Sequence, residues 1–226
     1  MDKIEAISAR HSVREYLDTP LSPDVISQLE AAIAQVNKEG NLHFQLNINE
    51  PKAFSSILIR YGVFTNVKNY IAIIAKKNPQ AEISAGYYGQ SLVLLAQQLG
   101  LNTCWVGGTY SKRKAIAKLG LGEKLHTVIT LGYGENQGKK RKTKPIEKLS
   151  LVKGAEPLWF KPAMEAVQLA PTAMNQQKFF FTYENGLVTP EIYKGFYTNI
   201  DFGIAKLHFE IGASAAGAKK QDWHWA

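Results

Sequence analysis

Two short strand-like runs, Tyr70–Ile74 and Thr127–Gly134, bracket a long helical stretch, and this arrangement narrows the choice of fold more than any other feature. The first is continuously apolar, which fits a strand buried on both faces, and the second reads as another central strand. The stretch between them predicts a helix from about Ile83 to Leu99, closed by Gly100 where a left-handed cap is wanted. Small residues near its start, Ser84, Ala85, Gly86 and Gly89, permit close approach by a second helix, although plain core packing accounts for most of them.

The flanking sequence continues the alternation. Residues 3–9 read as a short helix with Ile4 and Ile7 on one face, opened by an Asp2–Glu5 capping box. Ser22 as N-cap and Pro23 at the first helical position start a second helix, which ends at Gly40 and Asn41. Leu42, Phe44 and Leu46 alternate with polar residues, as in a half-buried strand. Residues 51–60 read as a helix broken at Gly62, residues 102–106 as a strand end, and residues 111–119 as a short helix. The pattern then restarts with a helix over 158–169 and a strand over Phe179–Tyr183. A helix over 199–214 follows, with Asp201 and Gly203 near its start, and the Asp222–Trp225 tail is aromatic enough to be pinned down. The alternation predicts an α+β fold: a mixed central sheet with helices on both sides.

The restart suggests an internal repeat. Leu29-Glu30-Ala31-Ala32 and Met164-Glu165-Ala166-Val167 stand 135 residues apart, as do Phe44 and Phe179. Gly89 pairs with Gly203 at an offset of 114, so the second copy is shorter by about 20 residues. On this reading residues 1–150 and 151–226 are two pseudo-symmetric repeats in one chain.

Composition excludes several classes. With 45% hydrophobic and 20% charged residues, the chain reads as an ordinary soluble one. No apolar run approaches the roughly 20 residues of a membrane helix, and Met1–Glu5 carries no signal-peptide pattern. The single Cys104 rules out an internal disulfide, suits a reducing cytoplasm, and reads as a buried small hydrophobe because no histidine partner is evident. Five scattered histidines argue against a metal site. The net charge of +8 owes much to Lys139–Lys144. Such a run is most often a solvated loop. A nucleic-acid-binding module is the less favoured reading, because no helix-turn-helix, zinc or RNP pattern accompanies the charge.

Chemistry concentrates at two places. In Arg10-His11-Ser12-Val13-Arg14, alternation along an extended segment brings Arg10, Ser12 and Arg14 to one side, where two guanidinium forks and a hydroxyl suit a phosphate. Taken alone, such a string is usually solvated surface. Far downstream lies Ala170-Pro171-Thr172-Ala173-Met174-Asn175-Gln176-Gln177-Lys178-Phe179. Between them, Gly107-Gly108 after a strand reads either as a simple turn or as backbone made accessible to a flat ligand.

The opening Arg-His-Ser-Val-Arg-Glu-Tyr and the Ala-Pro-Thr-x-x-Asn-x-Gln loop together resemble the FMN-dependent nitroreductase family, of the internally duplicated TM nitroreductase type. Lys178 and Phe179 stand where that family usually has proline and tryptophan. The resemblance implies a nitroreductase-like fold. It also implies that Arg10, Ser12 and Arg14, with His11 beside them, take the phosphate and pyrimidine edge of FMN. Arg14 is then the charge that favours the reduced flavin. Arg141 and Lys142 match a late basic position directed at the phosphate, blurred because Thr143 stands where arginine is commoner. Gly107 and Gly108 match the segment beside the reactive N5, and Pro171, Thr172, Ala173 and Asn175 match the loop on the opposite side.

The implied activity is an oxidoreductase passing electrons from NADH or NADPH through FMN to a small acceptor such as a nitroaromatic or quinone. No acid–base residue is required, since the cofactor carries the chemistry. The alternative of a different class is a flavin-binding protein without turnover. Family members are generally homodimers with FMN across the interface. Here the first repeat has the arginines and the second has the loop. The expectation is therefore one chain that mimics the dimer and keeps one flavin site, as a monomer or a weak homodimer.

Overall fold

The computed structural model describes residues 1–55 and 64–226, and its layout follows from one long helix, α3 (Pro79–Gln98). The Asn78 side chain accepts a hydrogen bond from the Ala81 N–H at 2.8 Å, Pro79 occupies the first turn, and Gly100 takes a left-handed φ of 78° just past the end. The helix thus starts four residues before Ile83, at a cap-plus-proline signal that precedes the first apolar residue. One face of α3, with Leu92, Val93 and Ala96, packs on a sheet. Another meets α5 (Thr198–Ala215).

The α3–α5 crossing is reciprocal. A Cβ built on Gly86 would lie 2.0 Å from the Ile200 carbonyl oxygen, and one built on Gly203 would lie 2.0 Å from that of Ile83. Each glycine faces the carbonyl three residues before the other, so the two backbones touch under a local twofold relation. Gly86 is therefore the residue opposite Gly203, at an offset of 117. Gly89 instead makes room for the Trp105 ring, 2.5 Å from where its Cβ would be.

The strands divide between two sheets. Strands β1 (Gln45–Asn47), β2 (Asn69–Lys76), β3 (Asn102–Val106) and β4 (Glu123–Gly132) form an antiparallel sheet in the order β1-β2-β4-β3. Strands β5 (Ser150–Lys153), β6 (Phe179–Glu184), β7 (Leu187–Ile192) and β8 (His224–Trp225) form a mixed one in chain order. The α+β class and the strand positions follow the sequence reading, with two sheets in place of one. The helices lie between them, because α3 and α5 are back to back and each covers its own sheet. On the first sheet, Ile71, Ile73, Ile129 and Leu131 face α3 and α2 (Pro23–Gly40), whereas Tyr70, Ala72, Ile74 and Val128 face Phe54, Phe64, Val67 and Tyr110. Burial on both faces explains why β2 reads as a continuous run. In the second sheet Phe179, Phe181 and Val188 pack on α4 (Phe160–Gln168) and α5, with Phe181 stacked on Phe209 at 5.6 Å. The tail is pinned: Trp225 lies 5.2 Å from Phe209 and its Nε1 donates to Glu210.

Two local expectations change. Residues 111–119 make a single turn, with Lys114 and Ala115 N–H groups donating to the Ser111 carbonyl, and no helix follows. The next amides are diverted to side chains: the Ile116 N–H donates to Tyr70 Oη and the Lys118 N–H to Gln45 Oε1. The helix expected over 51–60 is a 3-10 turn at Pro51–Phe54, and the remainder of that segment, with the break at Gly62, lies outside the described residues. The short N-terminal helix α1 (Lys3–Ala9) carries the Asp2–Glu5 capping box and packs Ala6 and Ile7 among Leu94, Ala166 and Leu207. No helix among the described residues is long and apolar enough to cross a membrane.

Candidate functional site

Helix α1 ends at Arg10, whose ψ of 123° turns the chain into an extended segment. That segment runs alongside β3: Ser12 bridges Thr103 in parallel, and the Val13 N–H donates to the Thr103 carbonyl at 3.0 Å. Val13 is buried on the sheet side, while Ser12 and Arg14 face a cavity of about 340 Å³.

Four further segments complete the cavity wall. The end of β3 and the turn after it give Trp105, Gly107 and Gly108, with Thr127 from β4. The loop after α4 gives Pro171, Thr172, Ala173 and Met174. The start of α5 gives Phe196, Tyr197, Ile200, Asp201 and Ile204. The two segments singled out in the sequence, some 160 residues apart, therefore close on one space. The two glycines differ in role. Gly107 makes room for the Tyr197 ring, which lies 2.6 Å from where a Cβ would be, and Tyr197 Oη donates to the Gly107 carbonyl at 2.6 Å. Gly108 would have nothing within 4 Å of a Cβ, so its backbone is open.

Arg10 lies outside the cavity wall and is 6% exposed. Its Nε has no hydrogen-bond partner among the described residues, and none of their carboxylates forms an ion pair with it. Burial, helped by the positive charge of Arg141, pushes Arg10 down to about 10. A buried guanidinium without a counter-charge is costly unless an anion completes it. Cys104 is buried nearby, its thiol pushed up by burial against the opposing pull of Arg14, Ser12 and Arg10.

The remaining positions do not line the cavity. His11 turns its Nδ1 to the Arg10 carbonyl at 2.8 Å. Arg141 spends its guanidinium on protein: Nη1 donates to Asn175 Oδ1 at 2.8 Å, and Nη2 donates to the carbonyls of Gln168 and Ala170. Asn175 donates to the Lys142 carbonyl at 2.8 Å, so its side chain ties the basic loop to the loop after α4. Lys142 is exposed.

The sequence reading placed Asp201 near a helix start without giving it a role. Here it lines the cavity and is 3% exposed. Its Oδ1 accepts from the Ala173 N–H at 2.9 Å and its Oδ2 from Gln176 Nε2 at 2.7 Å. Burial pushes it up to about 6, against those two hydrogen bonds and the charge of Arg141. Trp105, Tyr197 and Phe196 were also not singled out. Trp105 Nε1 donates to Gln90 Oε1 at 3.0 Å, Gln90 Nε2 contacts His208 Nε2 at 2.9 Å, and His208 Nδ1 contacts the Ala166 carbonyl at 2.9 Å. The carbonyl requires the proton on Nδ1, which leaves Nε2 to accept from the amide. Burial pushes His208 down to about 3, so it is neutral.

The family described as "Putative TM nitroreductase" matches residues 2–213. No curated protein matches the sequence. A putative nitroreductase from Thermotoga maritima superposes with a TM-score of 0.65 at 23% identity, covering 92% of this chain and 82% of that one. A putative nitroreductase in complex with FMN from Desulfovibrio desulfuricans gives 0.52 at 18% identity, covering 70% and 99%. A nitroreductase-like protein from Bacillus cereus gives 0.50 at 18% identity, covering 68% and 97%. These likenesses show a nitroreductase-like fold.

Proposed function

The chain belongs to the family described as putative TM nitroreductase, and we propose that it is an FMN-dependent oxidoreductase taking electrons from NADH or NADPH. The observation that carries this reading is the convergence of Ser12 and Arg14 with Gly108 and the Pro171–Ala173 loop on one cavity. The residues fit the cofactor. Arg10, just behind the cavity wall, is a buried cation whose Nε has no partner among the described residues, which suits an anion held beside Ser12. Trp105, Pro171, Tyr197, Ile200 and Ile204 give apolar surface for a flat ring. The Desulfovibrio protein, of similar fold, was solved with FMN.

In this reading Ser12 holds the phosphate with the charge of Arg10 behind it, and Arg14 faces the pyrimidine edge. Gly108 lets the ring lie against backbone, and Pro171, Thr172 and Ala173 form the wall across from it. Arg141 and Asn175 act at one remove, by fixing that wall. When bound, FMN supplies two-electron transfer at its N5, and a small acceptor such as a nitroaromatic or quinone takes the electrons. The protein binds, orients and shields, and no side chain is needed as a general base.

The reciprocal Gly86–Gly203 contact supports reading residues 1–150 and 151–226 as halves that stand in for two subunits. One flavin per chain is then expected. The test is titration of the purified protein with FMN, followed by anaerobic addition of NADH or NADPH. Binding at one flavin per chain with bleaching of the yellow colour is expected. Absence of FMN binding refutes the reading, two flavins per chain refute the single site, and binding without bleaching leaves a flavin carrier.

A further inference from the structure

We propose that Asp201 is a positioning residue that latches the Pro171–Gln177 loop into place as one wall of the cavity. The proposal deepens the flavin reading and rests on it for the identity of the ligand.

The loop has reason to need a latch. Met174, Asn175 and Gln177 all have left-handed φ, at 52°, 53° and 43°. None is glycine, and although asparagine tolerates this region, Met174 and Gln177 are strained there unless their surroundings hold them. Met174 is 91% exposed, so packing does not hold it there. Asp201 supplies the tie on the cavity side. One carboxylate oxygen takes the Ala173 N–H and the other takes the Gln176 amide, which also donates to the Phe196 carbonyl at 2.8 Å. The same few bonds therefore join the loop to the start of α5.

Helix capping does not explain this carboxylate. Asp201 lies one turn into α5, whose N-cap is Tyr197, and its oxygens reach residues 28 and 25 positions earlier. Among the residues lining the cavity it is the sole acidic one. The charged groups around it are Arg141 from the basic loop, whose field it feels, and Arg14 across the cavity. Burial already holds it up at about 6, so mild acid protonates it. A protonated carboxyl has one oxygen committed as a donor and can no longer accept freely from both partners. Loop order should therefore weaken as the pH falls from 7 to 5.

Asp201→Asn tests this. The variant keeps the shape, removes the buried charge, and sets an amide donor against the loop. Thermolysin cleavage beside Met174 is followed on flavin-free protein, and FMN affinity is measured by fluorescence at pH 7.5 and 5. Loss of a charge-assisted hydrogen bond corresponds to about a tenfold effect or more. The expected result is at least about tenfold faster cleavage and weaker FMN binding at pH 7.5, without a lower melting temperature. Wild-type affinity falls on acidification by more than the variant's, whose fall reflects only protonation of the FMN phosphate. Gln176→Met cuts the latch from the loop side and guards against a folding defect in the first variant. Wild-type cleavage rates in both variants overturn the proposal. Failure of the wild-type protein to bind FMN overturns the flavin reading alone, since the cleavage assay needs no flavin.

Discussion

Replacing Gly203 by alanine puts one carbon 2.0 Å from the Ile83 carbonyl oxygen. A carbon–oxygen contact needs about 3.3 Å, so α3 and α5 must part by more than about 1 Å. The obstacle is backbone, which cannot rotate away, so the overpacking cost falls at the upper end of its range, about 3 kcal/mol. Alanine returns about 1 kcal/mol of helix propensity. The net is a loss of about 2 kcal/mol, and for a chain of this size a melting temperature lower by about 4–8 °C. The same shift moves Ile200, Asp201 and Ile204, so FMN affinity falls with stability. Gly86→Ala meets the Ile200 carbonyl at the same 2.0 Å and should behave alike. Gly108→Ala is the control: with nothing within 4 Å, its stability stays within about 0.5 kcal/mol of wild type. Thermal and urea unfolding of the three variants decide the matter. Wild-type stability in Gly203→Ala and Gly86→Ala refutes the close-approach argument.

Other predictions follow from charge and burial. Arg10→Met removes a buried cation without a counter-charge among the described residues, so it should raise the melting temperature of the flavin-free protein. It should also weaken FMN binding by about 1.5–3 kcal/mol, and a lower melting temperature with unchanged affinity would contradict both roles. His208 has a folded value of about 3 against an ordinary 6.5, so the unfolded chain takes the proton first. Its contribution is present above pH 6.5 and is lost as the pH falls toward 3. Between pH 7.5 and 5 wild type should lose about 2 kcal/mol more than His208→Gln, measured by urea midpoints. Asp201, raised to about 6, acts oppositely: its contribution is present below about pH 4 and lost as the pH rises through 6. Asp201→Asn should therefore flatten that opposing slope in the same urea series.

Local signals were the legible ones. Asp2 with Glu5, Ser22 with Pro23, and Gly100 each act within one turn of chain, and each does what its residue type predicts. Asn78-Pro79 was equally local, yet a helix start judged by its first apolar residue passes over it. The Arg-x-Ser-x-Arg and Pro-Thr segments could be recognised as a pair only through their joint resemblance to one family, since the spacing of either alone is as common on solvated surface. Asp201, Trp105 and Tyr197 could not, because their roles come from which segments meet in space. The basic run shows the same limit: Arg141 and Lys142 look equivalent in sequence, yet one is spent on carbonyls and Asn175 and the other is exposed. Gly86 and Gly89 are both small residues on one helix, and only the crossing with α5 tells them apart.

The Trp105–Gln90–His208 chain carries a consequence for traffic into the cavity. An indole N–H can only give a hydrogen bond, and an amide does not pass protons at ordinary acidity. The imidazole, neutral down to about pH 3, has its Nδ1–H committed to the Ala166 carbonyl and its Nε2 to the Gln90 amide. The row of groups is a mooring that ties Trp105 of β3 through Gln90 of α3 to His208 of α5 and the Ala166 carbonyl of α4. The cavity wall meets solvent at Met174 and Phe196, both exposed.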